Sequence, residues 1–156
     1  MHRQREPGAA SYSRLRHVVR PEREIYCRKR WLEARTSVTK VLVVDDDPDL
    51  LLACSLVLES EGYEVDAARN GSEAIDKLAE DGIDVVLLDV MMPVLDGLSV
   101  CKMVKKDPRT KDLPVVLISA STALRERGRH CADAVLEKPF DIDYLVDTVG
   151  HFAPMG

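Results

Sequence analysis

Four aspartates, a serine and a lysine share one kind of position in this chain: each stands directly behind a short aliphatic run. Asp45, Asp46 and Asp47 follow KVLVV, Asp89 follows VVLL, and Ser119 follows PVVLI. Lys138, between Glu137 and Pro139, follows AVL. Carboxylates gathered in one place disfavour each other's ionised form unless a cation compensates. Two compensators suit these residue types. One is a hard divalent ion, since ligands that offer only oxygen select Mg²⁺ or Mn²⁺. The other is the ammonium of Lys138. A carboxylate beside a metal ion, a lysine and a hydroxyl is arranged to accept a phosphoryl group. The two cations neutralise phosphoryl oxygens, and Ser119 donates a hydrogen bond to one of them.

Taken singly, each residue has a plainer reading. Asp45–Asp47 would serve as acidic caps of a following helix. Asp96-Gly97 reads as turn and cap chemistry. Lys138 by itself is a solvated lysine, and Ser119 by itself carries no signal. The chemical reading needs the ends of several strands to meet, so it depends on the elements that carry them.

From Lys40 onward, aliphatic runs alternate with amphipathic stretches. Lys40–Val44 reads as a fully buried strand. Pro48 suits the first turn of a helix with Asp47 as its N-cap. That helix aligns Leu50, Leu51, Cys54, Val57 and Leu58 and stops near Gly62. Tyr63–Ala68 is a second strand, and a helix runs from Gly71-Ser72 to Gly82. Val85–Leu88 is the third strand, followed by a helix over Gly97–Lys106 that Asp107-Pro108 breaks. Pro114–Ile118 is the fourth strand, Thr122–Arg129 a short polar helix and Ala134–Leu136 the fifth strand. Asp141 caps a last helix with Ile142, Leu145, Val146, Val149 and Phe152 at helical spacing.

Five βα units predict a parallel sheet with helices on both faces. The common order for such a five-stranded doubly wound sheet, the flavodoxin-like one, is 2-1-3-4-5. Strands 1 and 3 are then neighbours, and a site lies outside their carboxyl ends. That places the aspartates of both strands in one crevice.

Composition separates this unit from what precedes it. Of 156 residues, 46% are hydrophobic and 31% charged, as in globular domains, and aromatics are only 4%, so the core must be aliphatic. The net charge of −5 hides an asymmetry: residues 1–40 hold 11 Lys/Arg against 4 Asp/Glu, while residues 41–156 hold 11 against 23. Residues 1–39 therefore read as a basic extension, solvated and flexible, with a possible short helix over Arg28–Arg35 around Trp31 and Leu32. Residues 40–153 form the folded domain and 154–156 a tail. A start at Val38 from an alternative initiation codon would remove the extension. Contact with nucleic acid could come only through that extension, against the repulsion of the acidic domain. No run approaches the length of a membrane helix, and no apolar segment follows the basic N-terminus as in a secretory signal. Cys27, Cys54, Cys101 and Cys131 are scattered, without a C-x-x-C pair, as expected of reduced thiols in a cytoplasmic protein.

The stretches KVLVVDDDPDL, DVVLLDVMMPVLDGL, LPVVLISA and LEKPF occur in this order and spacing. Over about Lys40 to Phe152 the sequence thereby resembles the receiver domain of two-component response regulators, in particular the stand-alone, chemotaxis-regulator type. The resemblance implies that Asp89 is the phosphorylated aspartate. It makes Asp46 a direct Mg²⁺ ligand and lets Asp45 act through coordinated water. The backbone carbonyl of Met91 would complete the metal shell. Ser119 would bind the phosphoryl group, and Lys138 would pair with it ahead of a cis peptide to Pro139. Asp47 would not be a ligand. The donor would be a histidine kinase or a histidine phosphotransfer protein. The output would be phosphorylation-dependent contact with an unidentified downstream protein, with no enzymatic activity beyond self-phosphorylation and autodephosphorylation.

The sequence also departs from the family's pattern. Three places before Lys138, where many receivers carry an aromatic switch residue, stands Val135, which has no ring to swing. The segment from Ser119 to Cys131 is shorter than usual by about one helical turn. Cys131 takes a place where glycine is frequent. Met91 and Ser121 flank the phosphoryl site and bear on water access. A second reading starts from Asp45-Asp46-Asp47 as the D-x-D motif of haloacid-dehalogenase-type phosphatases, with Asp45 as nucleophile.

Overall fold

The computed structural model describes residues 38–80 and 82–153. The expected extension, its candidate helix over Arg28–Arg35 and the tail 154–156 lie outside the described residues, apart from Val38 and Thr39.

Among the described residues, five strands alternate with five helices. In chain order they are β1 (Lys40–Val44), α1 (Pro48–Ser60), β2 (Glu64–Ala68), α2 (Gly71–Leu78) and β3 (Val85–Asp89). Then follow α3 (Gly97–Lys106), β4 (Val115–Ser119), α4 (Thr122–Gly128), β5 (Ala134–Glu137) and α5 (Ile142–Phe152). The sheet is wholly parallel, in the order β2-β1-β3-β4-β5, the flavodoxin-like arrangement that the alternation predicts.

Alternation along each strand sends successive side chains to opposite faces. Leu42 and Val44 join Val86 and Leu88 in one apolar cluster, with Ala74 of α2, Val100 and Val104 of α3 and Leu124 of α4. Val41 and Val43 join Val85 and Leu87 in the other, with Cys54 and Leu58 of α1 and Leu145 and Val149 of α5. The central strands β1, β3 and β4 are buried on both faces, which is why they read as unbroken apolar runs.

Each of the five described helices starts on a side-chain cap. Asp47, Asn70, Asp96, Ser121 and Asp141 each accept a hydrogen bond from an N–H of the first turn. Gly62 ends the α1 connection with φ of 95°, a conformation that costs glycine little.

Several boundaries differ from expectation, and those at the start of β2 and the ends of β3, β4 and β5 have structural reasons. Tyr63 does not begin β2, because its N–H closes the end of α1 on the carbonyl of Leu58 at 3.1 Å. β4 and β5 each run one residue further than expected, because Ser119 pairs with Glu137 in the parallel register. Likewise Asp89 pairs with Ile118, so the last residue of β3 is held within the ladder rather than in a loop.

Candidate functional site

Asp45 leaves the end of β1 with its N–H donated to the carbonyl of Ala68 at 3.1 Å. Its side chain is buried, and its Oδ1 accepts the N–H of Asp47 at 2.9 Å. Asp89, the last residue of the neighbouring strand β3, is buried beside it. Lys138, at the end of β5, reaches across to both. Its Nζ lies 3.4 Å from Oδ2 of Asp45 and 3.2 Å from Oδ1 of Asp89. Asp46 is exposed at the mouth. One oxygen from each of Asp45, Asp46 and Asp89 lies within 4.8 Å of the others.

The electrostatics follow from burial and proximity. Burial pushes the Asp45 carboxyl above its ordinary range, against the N–H of Asp47 and the Lys138 ammonium, which pull it down. Burial also raises Asp89, with the nearby Asp45 charge adding to it and Lys138 opposing. For Lys138, desolvation lowers the pKa, but Asp89 and Asp45 together outweigh it and hold the ammonium above its usual value. One lysine thus only partly compensates two buried carboxylates and a third at the rim. This oxygen-only cluster fits a divalent cation of the Mg²⁺ class, which takes few protein carboxylates and keeps several waters.

Ser119 is buried at the carboxyl end of β4. Its hydroxyl donates to the carbonyl of Ser121 at 3.2 Å and accepts the N–H of Ser121 at 3.1 Å. Met91 follows Asp89 by two residues and its side chain is exposed. Asp47 caps α1, accepting from the N–H groups of Asp49 and Leu50 at 3.0 and 3.4 Å. The Lys138–Pro139 peptide is cis. Val135 sits in the core on β5, 6% exposed, with Cys131 packed against the same cluster and α4 reduced to seven residues.

Three features escaped the sequence reading. Gly97 starts α3 so close to β3 that a Cβ there would collide with the carbonyl oxygen of Asp89. Its N–H donates to the carbonyl of Val90 at 3.0 Å, while the N–H of Val90 donates to Ile118 at 3.0 Å. The backbone beyond Asp89 is therefore pinned from two sides, and the pair Asp96-Gly97, read as turn and cap chemistry, also sets the approach of α3. Val94, in the same loop, is 98% exposed with φ of 69°, which is unusual for a β-branched residue. Nothing in the local sequence signals it. Finally, buried Asp133 accepts from the N–H of Val115 at 2.8 Å and from Nζ of Lys105 at 2.7 Å, tying α3 to the start of β4. Its two partners lie 18 and 28 residues away, beyond any local pattern.

Comparison with known proteins bears on what this arrangement does. A family model described as the response regulator receiver domain matches residues 41–150. Response regulator MprA of Mycolicibacterium vanbaalenii is 40% identical over 110 residues, which is 69% of this chain and 47% of that protein. The DNA-binding dual master transcriptional regulator RpaA of Synechocystis is 33% identical over 113 residues, 70% of this chain and 47% of that protein. The chain thus spans about half the length of the curated relatives it matches. Among solved structures, the chemotaxis response regulator CheY4 of Vibrio cholerae superposes with a TM-score of 0.70 at 32% identity, covering 74% of this chain and 99% of that one. The response regulator TrrA of Thermotoga maritima, in complex with Mg²⁺ and BeF, superposes with a TM-score of 0.69 at 34% identity, covering 74% of this chain and 99% of that one. These comparisons do not favour a haloacid-dehalogenase-type phosphatase with Asp45 as nucleophile.

Proposed function

Since the chain belongs to the response regulator receiver domain family, we propose that it takes up a phosphoryl group on Asp89. The observation that carries this reading is the reach of Lys138 from β5 to the carboxylates of both β1 and β3. Asp89 is the acceptor because it is buried at the end of the central strand, backed by a pinned backbone and faced by the ammonium.

In the transfer, a carboxylate oxygen of Asp89 bonds to phosphorus as the bond from phosphorus to the donor's imidazole nitrogen breaks. The product is an acyl phosphate. The donor is a histidine kinase or a histidine phosphotransfer protein. Asp46 would hold Mg²⁺ directly, Asp45 through its coordinated water, and Asp89 and the carbonyl of Met91 would complete the protein's ligands. The ion supplies positive charge against the phosphoryl oxygens. Lys138 pairs with another of those oxygens. Ser119 exchanges its hydrogen bond with the carbonyl of Ser121 for one to the phosphoryl group. The phosphorylated state signals by altered contact with a downstream protein, through conformations that differ in their contacts around Asp89. With Val135 at the core of β5, this change is not carried by an aromatic ring at that position. RpaA is described as DNA-binding, but the match covers only about half of it, and that property is not carried to this chain.

Incubation with acetyl phosphate and Mg²⁺, followed by intact-mass measurement, tests the reading. A gain of one phosphoryl group is expected, absent in Asp89→Asn and absent with a chelator. Labelling that survives Asp89→Asn would overturn it. Lys138→Ala removes the cation facing the phosphoryl oxygens, and the labelling rate is expected to fall by about 10²-fold, as for loss of a transition-state donor.

A further inference from the structure

The cysteines are scattered in the sequence, yet the fold brings two of them together. Cys101 lies on α3 and is wholly buried, and Cys131, half-buried, follows α4 by three residues. Cys101 belongs to the apolar cluster on one face of the sheet and Cys131 packs against it, whereas Cys54 lies in the cluster on the other face. A side-chain hydrogen bond joins the thiols of Cys101 and Cys131.

Three contacts set this approach. Along α3, Leu98, Cys101 and Lys105 fall at i, i+3 and i+7 and so share one face. Leu98 meets Gly128, Cys101 meets Cys131, and Nζ of Lys105 reaches Oδ2 of Asp133 at 2.7 Å. The segment 128–133 therefore runs along α3, with the two thiols at the middle contact. Cys131 is held there by Gly128, whose carbonyl accepts its backbone N–H at 3.0 Å and its thiol at 3.5 Å.

The thiols differ in access. Cys131 is half-buried, so an oxidant from solvent meets its sulfur first. Cys101 has no exposed surface, and its hydrogen bond to Cys131, followed by its burial, holds its thiol protonated well above the ordinary thiol range. Cys101 is thus unsuited to react first, but it already touches the sulfur that can. Two cysteines in a core can pack as inert thiols. Here one reaches solvent and the other touches it, the arrangement of a first-reacting and a resolving thiol.

We propose that Cys101 and Cys131 form an intramolecular disulfide when the protein meets a peroxide. The Cys131 sulfur attacks one peroxide oxygen, the O–O bond breaks, and water leaves with the Cys131 proton. Sulfur is oxidised to the sulfenic acid and the peroxide is reduced. The Cys101 sulfur then attacks the sulfenic sulfur. The S–S bond forms, the S–O bond breaks, and hydroxide leaves as water with the Cys101 proton. Two thiols and one hydrogen peroxide give one disulfide and two waters. The bond fastens α3, whose start packs against Asp89, to the segment that leads into β5 and Lys138. The proposal does not depend on phosphorylation of Asp89.

The test treats the full-length protein with hydrogen peroxide, blocks remaining thiols with an alkylating agent under denaturing conditions, and digests with trypsin without reduction. A linked pair of peptides, residues 78–102 and 130–156, is expected from protein that runs as a monomer. Its mass should be the sum of the two less two hydrogens, apart from any oxygen taken up by methionine. Dithiothreitol should separate the pair. In Cys101→Ala the reaction should stop at the sulfenic acid, and dimedone should label peptide 130–156. In Cys131→Ala peptide 78–102 should keep its thiol. Circular dichroism identifies a variant that has failed to fold, and the unmodified chain then decides by itself. Uptake of the blocking agent by both Cys101 and Cys131 after peroxide treatment overturns the proposal. So does a bond from Cys131 to Cys27 or Cys54, or a Cys101–Cys131 bond found only in dimers.

Discussion

Asp89 and Asp45 illustrate how little a residue type says until its surroundings are known. Both are aspartates behind an apolar run, as Asp47 is nearly so, yet Asp47 is exposed and serves as a helix cap while the other two are buried together. Burial, mutual repulsion and a single shared ammonium make their ionised forms costly, and that cost is what a divalent ion relieves. The loop between β3 and α3 holds the opposite case, a residue with no chemistry but a strained backbone. Val94 has φ of 69° and nothing to gain from burial. A non-glycine residue in the left-handed region costs about 1–2 kcal/mol, whereas glycine adds about 0.5–1 kcal/mol of unfolded-state entropy. Val94→Gly is therefore expected to raise the thermal midpoint by a small margin, measurable by scanning calorimetry.

Helix starts are the element-scale devices that aim these residues. Asp96 caps α3 through the N–H of Ser99 at 2.9 Å and also accepts from its hydroxyl. Asp96→Ala is expected to lose about 1 kcal/mol of stability in denaturant titration. Asp96→Asn should keep most of it, since an amide oxygen also accepts. The N–H of Ser99 holds the Asp96 carboxyl below its usual range. A lowered folded-state pKa gives a contribution that is complete above the unfolded value near 3.8 and is lost as pH falls through the lower, folded value. The acid side of the stability profile should therefore be shallower in Asp96→Asn. The adjacent Gly97 sets distance rather than charge. A methyl group there must displace backbone at Asp89 and Val90, and overpacking of this kind costs about 1–3 kcal/mol. Gly97→Ala should lower both thermal stability and the rate of labelling by acetyl phosphate. A loss of stability with an unchanged rate would show that α3 does not set the geometry of Asp89.

At the scale of the whole molecule, the sheet order decides where the chemistry lies. β1 and β3 are neighbours while β2 turns outward, so the connections after β1 and β3 leave a crevice between them. A ligand that binds only the folded crevice stabilises the fold by mass action. Mg²⁺ at ten times its dissociation constant should add about 1.4 kcal/mol, read as a rise in thermal midpoint that a chelator reverses. Asp46→Ala should shift that response to higher Mg²⁺.

The sequence by itself determined the elements, their order and the strand ends that carry Asp45, Asp89, Ser119 and Lys138. These are written in short-range signals: aliphatic runs, capping residues, and prolines or glycines at fixed offsets. Tertiary structure alone decided which of those residues touch. It brought Lys138 to Asp45 and Asp89 across 93 and 49 residues of chain. It turned the Ser119 hydroxyl onto Ser121, paired Asp133 with Lys105, pressed Gly97 against Asp89 and set Cys131 against Cys101. The physical reason is that local patterns report a residue's preference for helix, strand or turn. Distances between side chains are fixed only when the sheet's register and the packing of helices on its two faces set every element at once.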